Sequence, residues 1–443
     1  MKANALGVAS WMVLWWILEV LPIYITAMLP MVLFPTLGIL PLKETFIPYA
    51  SPIIFLFLGG FLIALALEKR KIHERLAFGI IRLTGTRPKG IILGFMVATA
   101  SVAMWISNTA TAVMMLPIAL SVVQLMDEPA KGQNQPRFSM LLMLGIAYAA
   151  NIGGTITLIG TPPNLVFAGF YFQEMGMEFS FVHWLMIGAP VGITLLLCGY
   201  WLLVRFVYPI ENSLVTGAKE LFDARWYALG KLNRAEWSVI GVFTITVLGW
   251  ILTNPINSLI GKPVLSTTTV AMFGGLMMFV FPVNLSKGEF ILHWEDTVRL
   301  PWGIIILFGG GLALASGLEQ AGIIDDIAFY ITDQPIASNV FLMLSLVLLS
   351  IFMTEVMSNV ALVTVLLPVV FSIAHQKGID PLGLTVPVTL AASCAFMMPI
   401  STPPNAIVYS SGRISVGQML KAGVWMNLLS CVVIGIVGWI LLQ

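Results

Sequence analysis

The chain of 443 residues is 58% hydrophobic and 10% charged, with a mean hydropathy of +0.96. These values exclude a soluble globular domain and fit a polytopic membrane protein. The formal net charge of +1 points to no nucleic acid, and Cys198, Cys394 and Cys431 lie in apolar runs without metal or redox spacing.

A spanning helix needs about 20 apolar residues, and such runs follow one another from the start. Ala5 to Val20 and Leu21 to Leu40 are separated by Glu19, read as interfacial, and Pro22; Phe46 to Leu67 follows. The first run leads directly into the next, so no cleaved signal is expected. Basic and apolar positions then alternate from Lys69 through "LAFGIIRL". That pattern predicts an amphipathic helix along the membrane surface. Ile91 to Met126 is apolar around Ser107-Asn108-Thr109, and a charged loop, Asp127 to Arg137, comes next. Met140 to Tyr171 is interrupted by Gly160-Thr161-Pro162-Pro163-Asn164, and Trp184 to Val204 closes the first half.

Glu211 to Glu236 is the one long polar stretch and reads as a linker. Three spans follow: Trp237 to Leu252, Leu265 to Pro282 and Trp302 to Leu318. Glu319 to Asp333 is an acidic second surface helix. Asn339 to His375 is apolar around Ser358-Asn359-Val360, Leu384 to Ser410 is broken by Thr402-Pro403-Pro404-Asn405, and Met419 to Leu442 is the last span.

The halves align. "IIFLFLGGFLIALALE" recurs as "IIILFGGGLALASGLE" 251 residues later; Ser107 to Ser358 and Pro117 to Pro368 share that offset, and Thr161 to Thr402 is 241. A common offset across separated landmarks marks a duplicated unit. If each Ser-Asn segment returns to its side of entry, all but four of the 22 Lys and Arg fall on one side, the exceptions being Lys2, Lys43, Lys262 and Lys377. The positive side is cytoplasmic, and the two surface helices then lie on opposite faces, so the repeats are inverted. Charge parity leaves open whether each Ser-Asn segment is a re-entrant hairpin or two full spans.

Inverted repeats with broken helices are a secondary-transporter pattern, because unwound backbone is tolerated in hydrocarbon only where it lines a cavity or is buried. Freed carbonyls suit a hard cation such as Na⁺, and helix N-termini suit carboxylates. No Lys, Arg or His falls near either motif within the spans; His73, His183, His293 and His375 sit at edges or loops. An anion here must be neutralised by dipoles, amides and co-bound cations, which favours cation symport. Glu355 is the one acidic residue in either hairpin, read as a hydrogen-bonded brace or as a group tuning a cation site. Gly59-Gly60 and Gly309-Gly310-Gly311 are read as close-packing positions.

These motifs resemble the divalent anion/sodium symporter family, the sodium-coupled di- and tricarboxylate carriers, over nearly the whole chain. The resemblance implies an all-α, inverted-repeat, elevator-type transporter with two re-entrant helical hairpins and two broken helices, working as a homodimer in the inner or plasma membrane. It assigns scaffold and arm to 1–90, transport segments to 91–210, a cytoplasmic linker to 211–236, a second scaffold and arm to 237–335, and a second transport part to 336–443. It implies one Na⁺ site at Ala103, Ser107, Asn108 and Gly160, and a second at Thr354, Met357, Asn359 and Ser401. The dicarboxylate would lie among Asn108, Thr109, Thr161, Pro162, Ser358, Asn359, Val360, Thr402 and Pro403, with Asn164 and Asn405 bracing the breaks. Val360 departs from the family's usual threonine, removing one hydroxyl from the substrate. The family usually has one further helix ahead of the first span; here ten spans plus two hairpins are expected, with Lys2 outside.

The function expected is Na⁺-driven import of succinate-, malate- or fumarate-like anions, in contact with membrane lipid. A dicarboxylate exchanger or sulfate/Na⁺ symporter is the alternative, and a cation/proton antiporter or arsenite carrier is disfavoured by the lack of a titrating pair at either break. An enzyme is disfavoured because no nucleophile–base pair or metal-ligand set lies in the spans.

Overall fold

The computed structural model describes residues 1–18, 20–127, 136–210, 217–333 and 338–443. Glu19, Lys131 with most of its loop, and residues 211–216 of the expected linker lie outside the described residues.

The first repeat opens with α1 (Lys2–Leu18), two short helices α2 (Ile23–Thr26) and α3 (Leu29–Thr36), and α4 (Leu42–Phe46). The second expected span is therefore split. Pro22 caps the start of α2 and Pro30 enters the first turn of α3, where no helical N–H is lost, while Pro35 near the end of α3 removes one. Then come α5 (Pro52–Lys69), the surface helix α6 (Ile72–Leu83), hairpin arms α7 (Pro88–Ala103) and α8 (Asn108–Asp127), the broken pair α9 (Pro136–Ile156) and α10 (Pro162–Met175), and α11 (Phe181–Leu202).

The polar stretch folds rather than merely linking. It contributes α12 (Ala218–Ala228), and its last residues form the first turn of α13 (Arg234–Ile260), where Asn233 and Glu236 make a reciprocal cap. The second repeat continues with α14 (Thr267–Val280), α15 (Trp302–Gln320), α16 (Ile323–Thr332), α17 (Asn339–Met353), α18 (Asn359–Lys377), α19 (Leu382–Ala392), α20 (Pro403–Tyr409) and α21 (Val416–Leu441). A two-stranded ribbon, Pro282–Asn284 with Glu289–Phe290, is the small exception to the helical pattern among the described residues.

Seven helical stretches among the described residues are long and apolar enough to cross a membrane, and the chain is a multi-pass membrane protein. The first arms of the hairpins are short. At 1.5 Å per residue, α7 and α17 reach roughly 24 and 22 Å, less than the ~30 Å hydrocarbon core. The last turn of α18 carries His375 and Lys377, which brings that arm out at an interface.

The charge map has a geometric check. Among the described residues, long-range ion pairs join Lys2 to Asp326, Lys69 to Asp296, Arg75 to Glu236 and Arg82 to Asp223. Each joins residues that the charge pattern assigns to the same side. Arg75 does most. Its guanidinium grips Glu236 (2.7 Å) and also donates to the carbonyls of Leu229 (2.7 Å) and Gly230 (2.8 Å) at the end of α12. This bolts the surface helix α6 to the start of α13. Asp296, although desolvation pushes its carboxyl up, is held below the usual range by the His293 amide and Lys69.

Two sets of helices emerge. α5 packs along α14, with Gly59 so close to Ala271 that a Cβ would stand 2.5 Å from its backbone; Phe57 meets Phe308 of α15 at a ring distance of 4.0 Å. In the other set the repeats interlock: α20 lies on α8 and α9, while α10 lies on α18 and α19. Their centre is α9, buried from Phe138 to Ile156.

Candidate functional site

The interlocking brings both hairpin tips and both breaks to one cavity of about 1170 Å³. Of the residues expected at the site, Ser107, Asn108, Thr109, Gly160, Thr161, Pro162, Met357, Ser358, Asn359, Val360, Ser401, Thr402 and Pro403 line it. Ala103 and Thr354 are fully buried just behind the tips. The N-termini of α8, α18 and α10, starting at Asn108, Asn359 and Pro162, meet here, so the positive ends of three helix dipoles converge on one space.

The breaks are braced alike. Asn164 Nδ2 donates to the carbonyls of Gly154 (3.1 Å) and Thr157 (2.8 Å). Asn405 Nδ2 donates to those of Ala395 (3.1 Å) and Met398 (3.0 Å), the positions 241 residues on. Each asparagine thus replaces helical partners that the prolines and the bend remove.

The repeats differ in how far the helix unwinds. The first break covers residues 157–161, the second 393–402. The longer one frees the amides of Phe396, Met397 and Met398, and Glu355 takes all three. Its Oε1 accepts from Phe396 N (2.7 Å), Met397 N (2.9 Å) and Asn427 Nδ2 (2.8 Å), and its Oε2 from Met398 N (3.1 Å). The residue 251 earlier is Met104, whose backbone carbonyl instead accepts from the Thr157 hydroxyl. A carboxylate therefore stands where one extra turn of backbone must be satisfied. Of the two readings open for Glu355, this geometry supports the brace.

Oxygens without protein partners cluster at the expected cation positions. Among the described residues, no amide reaches the carbonyls of Ala103, Gly160, Met357 or Ser401. Asn108 Oδ1 is buried and unpartnered. On the other tip, Thr354 Oγ1 lies 2.6 Å from the Ala392 carbonyl and 2.7 Å from Asn359 Oδ1. One hydroxyl proton serves one acceptor; Thr354 gives it to the Ala392 carbonyl and meets the Asn359 amide with an oxygen lone pair. The oxygens are neutral and hard, a donor set for an alkali cation rather than a transition metal.

Several contributors were not singled out from the sequence. Asn151 on α9 lines the cavity and reaches across to the second break. Gly154 lies against Asn108: a Cβ there would be 2.6 Å from Asn108 Oδ1. Asn427 holds Glu355 from α21. Asn151 and Asn427 had a signal, a lone amide in an apolar helix, but nothing local says what it faces. Glu68 and Arg299 are the charged residues of the lining.

A family model, the sodium:sulfate symporter transmembrane region, matches residues 1–443. The chain belongs to this family. Among similar proteins, the sodium-dependent dicarboxylate transporter SdcS of Staphylococcus saprophyticus is 38% identical over 443 residues, covering 98% of this chain and 85% of that protein. SdcS of Staphylococcus aureus strain USA300 is 38% identical over 439 residues, covering 97% and 84%. In fold, the chain resembles Neisseria gonorrhoeae MtrF, of a class of antimetabolite efflux pumps, with TM-score 0.62, 14% identity and coverage of 93% and 84%. It also resembles the Alcanivorax borkumensis YdaH transporter, with TM-score 0.57, 12% identity and coverage of 90% and 86%. The inverted-repeat helical fold read from the sequence therefore stands, in a member of the sodium:sulfate symporter family.

Proposed function

We propose that this member of the sodium:sulfate symporter family imports small dicarboxylates together with Na⁺. The observation that carries the reading is the set of partnerless oxygens at Ala103, Asn108, Gly160, Met357 and Ser401, beside three helix N-termini and with no cationic side chain at the tips or breaks. One Na⁺ would lie among Ala103, Ser107, Asn108 and Gly160, the other among Thr354, Met357, Asn359 and Ser401. The dianion would lie between the tips, among Asn108, Thr109, Thr161, Pro162, Ser358, Asn359, Val360, Thr402 and Pro403. Its charge is then met by the co-bound cations, which makes anion binding depend on Na⁺. The similarity to SdcS over nearly the full chain supports a dicarboxylate, and a non-enzymatic role follows.

Transport is by an elevator movement. Residues 91–210 and 336–443 carry the site and 1–90 and 237–335 form the scaffold, with 211–236 as cytoplasmic linker; two protomers pair through the scaffold. The interlocking of α7–α11 with α17–α21 supports the division. Glu68 and Arg299 belong to the lining and to the positive side of the chain, which supports an approach to the site from the cytoplasm.

In proteoliposomes, uptake of labelled succinate is expected only with an inward Na⁺ gradient. Na⁺-independent uptake that needs internal dicarboxylate would make the protein an exchanger. Sulfate belongs in the competition panel, because the family model is named for it. Val360 lines the cavity where a hydroxyl would face the anion. A hydrogen bond to a charged group is worth about 1.5–3 kcal/mol, so Val360→Thr is expected to lower the KM for succinate by roughly tenfold. An unchanged KM removes residue 360 from the substrate shell.

A further inference from the structure

We propose that Asn151 is a positioning residue: it crosses from the first broken helix to the second break and turns the Thr402 hydroxyl proton into the cavity, toward a bound carboxylate. Asn151 Nδ2 is 3.0 Å from Thr402 Oγ1, and the backbone N–H of Asn405 approaches the same oxygen at 3.4 Å. Both groups can only donate, so the threonine oxygen accepts twice and its own proton points elsewhere. Thr402 lines the cavity, and an anion there receives that proton.

The orientation of the Asn151 amide is fixed by its neighbours. Its Nδ2 also faces the Ala395 carbonyl at 3.2 Å and Asn405 Oδ1 at 3.5 Å, both acceptors. The Asn405 amide cannot turn round, because its own Nδ2 serves the carbonyls of Ala395 and Met398. A reversed Asn151 would set its oxygen against the Ala395 carbonyl. The device exists in one direction only. The residue 241 after Asn151 is Ala392, and Thr161, the counterpart of Thr402, makes no side-chain cap bond. One half of the site thus presents an oriented hydroxyl donor and the other a free one.

The inference rests on the dicarboxylate reading of the cavity. The test compares wild type, Asn151→Asp and Asn151→Ala for Na⁺-driven uptake of fumarate in proteoliposomes, at pH 7.5 and about 5.5, with thermal unfolding followed alongside. Ionised, the aspartate accepts from Thr402, turns the proton away from the cavity and adds a negative charge beside the anion. Protonated, it donates again as asparagine does, and burial favours that form. The expected result is a KM raised at least about tenfold at pH 7.5, with kcat little changed, returning to within a few-fold of wild type at the lower pH. Asn151→Ala should raise KM a few-fold at both pH values. A wild-type KM for Asn151→Ala at both pH values, or an equal and pH-independent loss in both variants, overturns the proposal. Failure of wild-type Na⁺-driven uptake instead overturns the dicarboxylate reading.

Discussion

Glu355→Ala is expected to abolish uptake and to lower the melting temperature of the purified protein more than any other single change at the site. The carboxylate is buried and accepts four hydrogen bonds, three of them from consecutive amides of the second break. Its removal leaves those amides and the Asn427 side chain without partners, with Phe396 and Asn427 fully buried and Met397 and Met398 partly so. Each unsatisfied buried donor costs about 1–3 kcal/mol, and loss of one partner of a buried charged network typically costs about 3–5 kcal/mol. Ser401, Thr402 and Pro403 belong to the same unwound segment or its exit, so the loss of order reaches the cavity. Glu355→Gln separates geometry from charge. Its carbonyl oxygen can still accept from Phe396 and Met397, but its amide NH₂ opposes the Met398 N–H, so an intermediate loss of stability is expected. If Glu355 instead tunes a cation directly, the glutamine variant keeps wild-type stability and shifts only the Na⁺ concentration for half-maximal uptake. Uptake assays combined with thermal unfolding in detergent decide between these results.

Gly154→Ala is expected to weaken Na⁺ activation while leaving the fold intact. By helix propensity alone the change should stabilise α9 by up to about 1 kcal/mol. The new Cβ, however, would stand 2.6 Å from Asn108 Oδ1 and 2.9 Å from its Nδ2, inside contact distance. α9 is buried from Phe138 to Ile156 and cannot retreat around Gly154, so the Asn108 side chain must move. It carries the partnerless oxygen assigned to the first Na⁺ in the proposed site and would also face the anion there. The Na⁺ concentration for half-maximal succinate uptake should therefore rise more than tenfold, with a melting temperature at or slightly above wild type. A wild-type Na⁺ titration would show that Asn108 Oδ1 is not a cation ligand.

The sequence carried the fold because a membrane leaves few options. Backbone must be satisfied within helices, so an apolar run is a span, and a Ser-Asn or Pro-Pro interruption marks a cavity. The common offset revealed the duplication, and like-side ion pairs such as Arg75–Glu236 and Lys2–Asp326 agree with the orientation drawn from charge. Asn164 and Asn405 were legible as braces because each follows its proline pair at a fixed step and so sits where carbonyls are freed.

What stayed hidden depends on which element faces which. The sequence shows that Glu355 has no acidic counterpart at Met104, but not that the second break unwinds further and delivers three amides to it. It shows an asparagine at 151 and a glycine at 154 in a helix of small residues, but not that one orients Thr402 and the other makes room for Asn108. The sequence by itself determined the spans, the inverted duplication and the two pairs of motifs, because those follow from hydropathy, charge and proline chemistry along the chain. The tertiary structure alone decided how the halves of the site are joined, because hydrogen bonds across the repeats link residues some 250 positions apart and leave no local pattern to read.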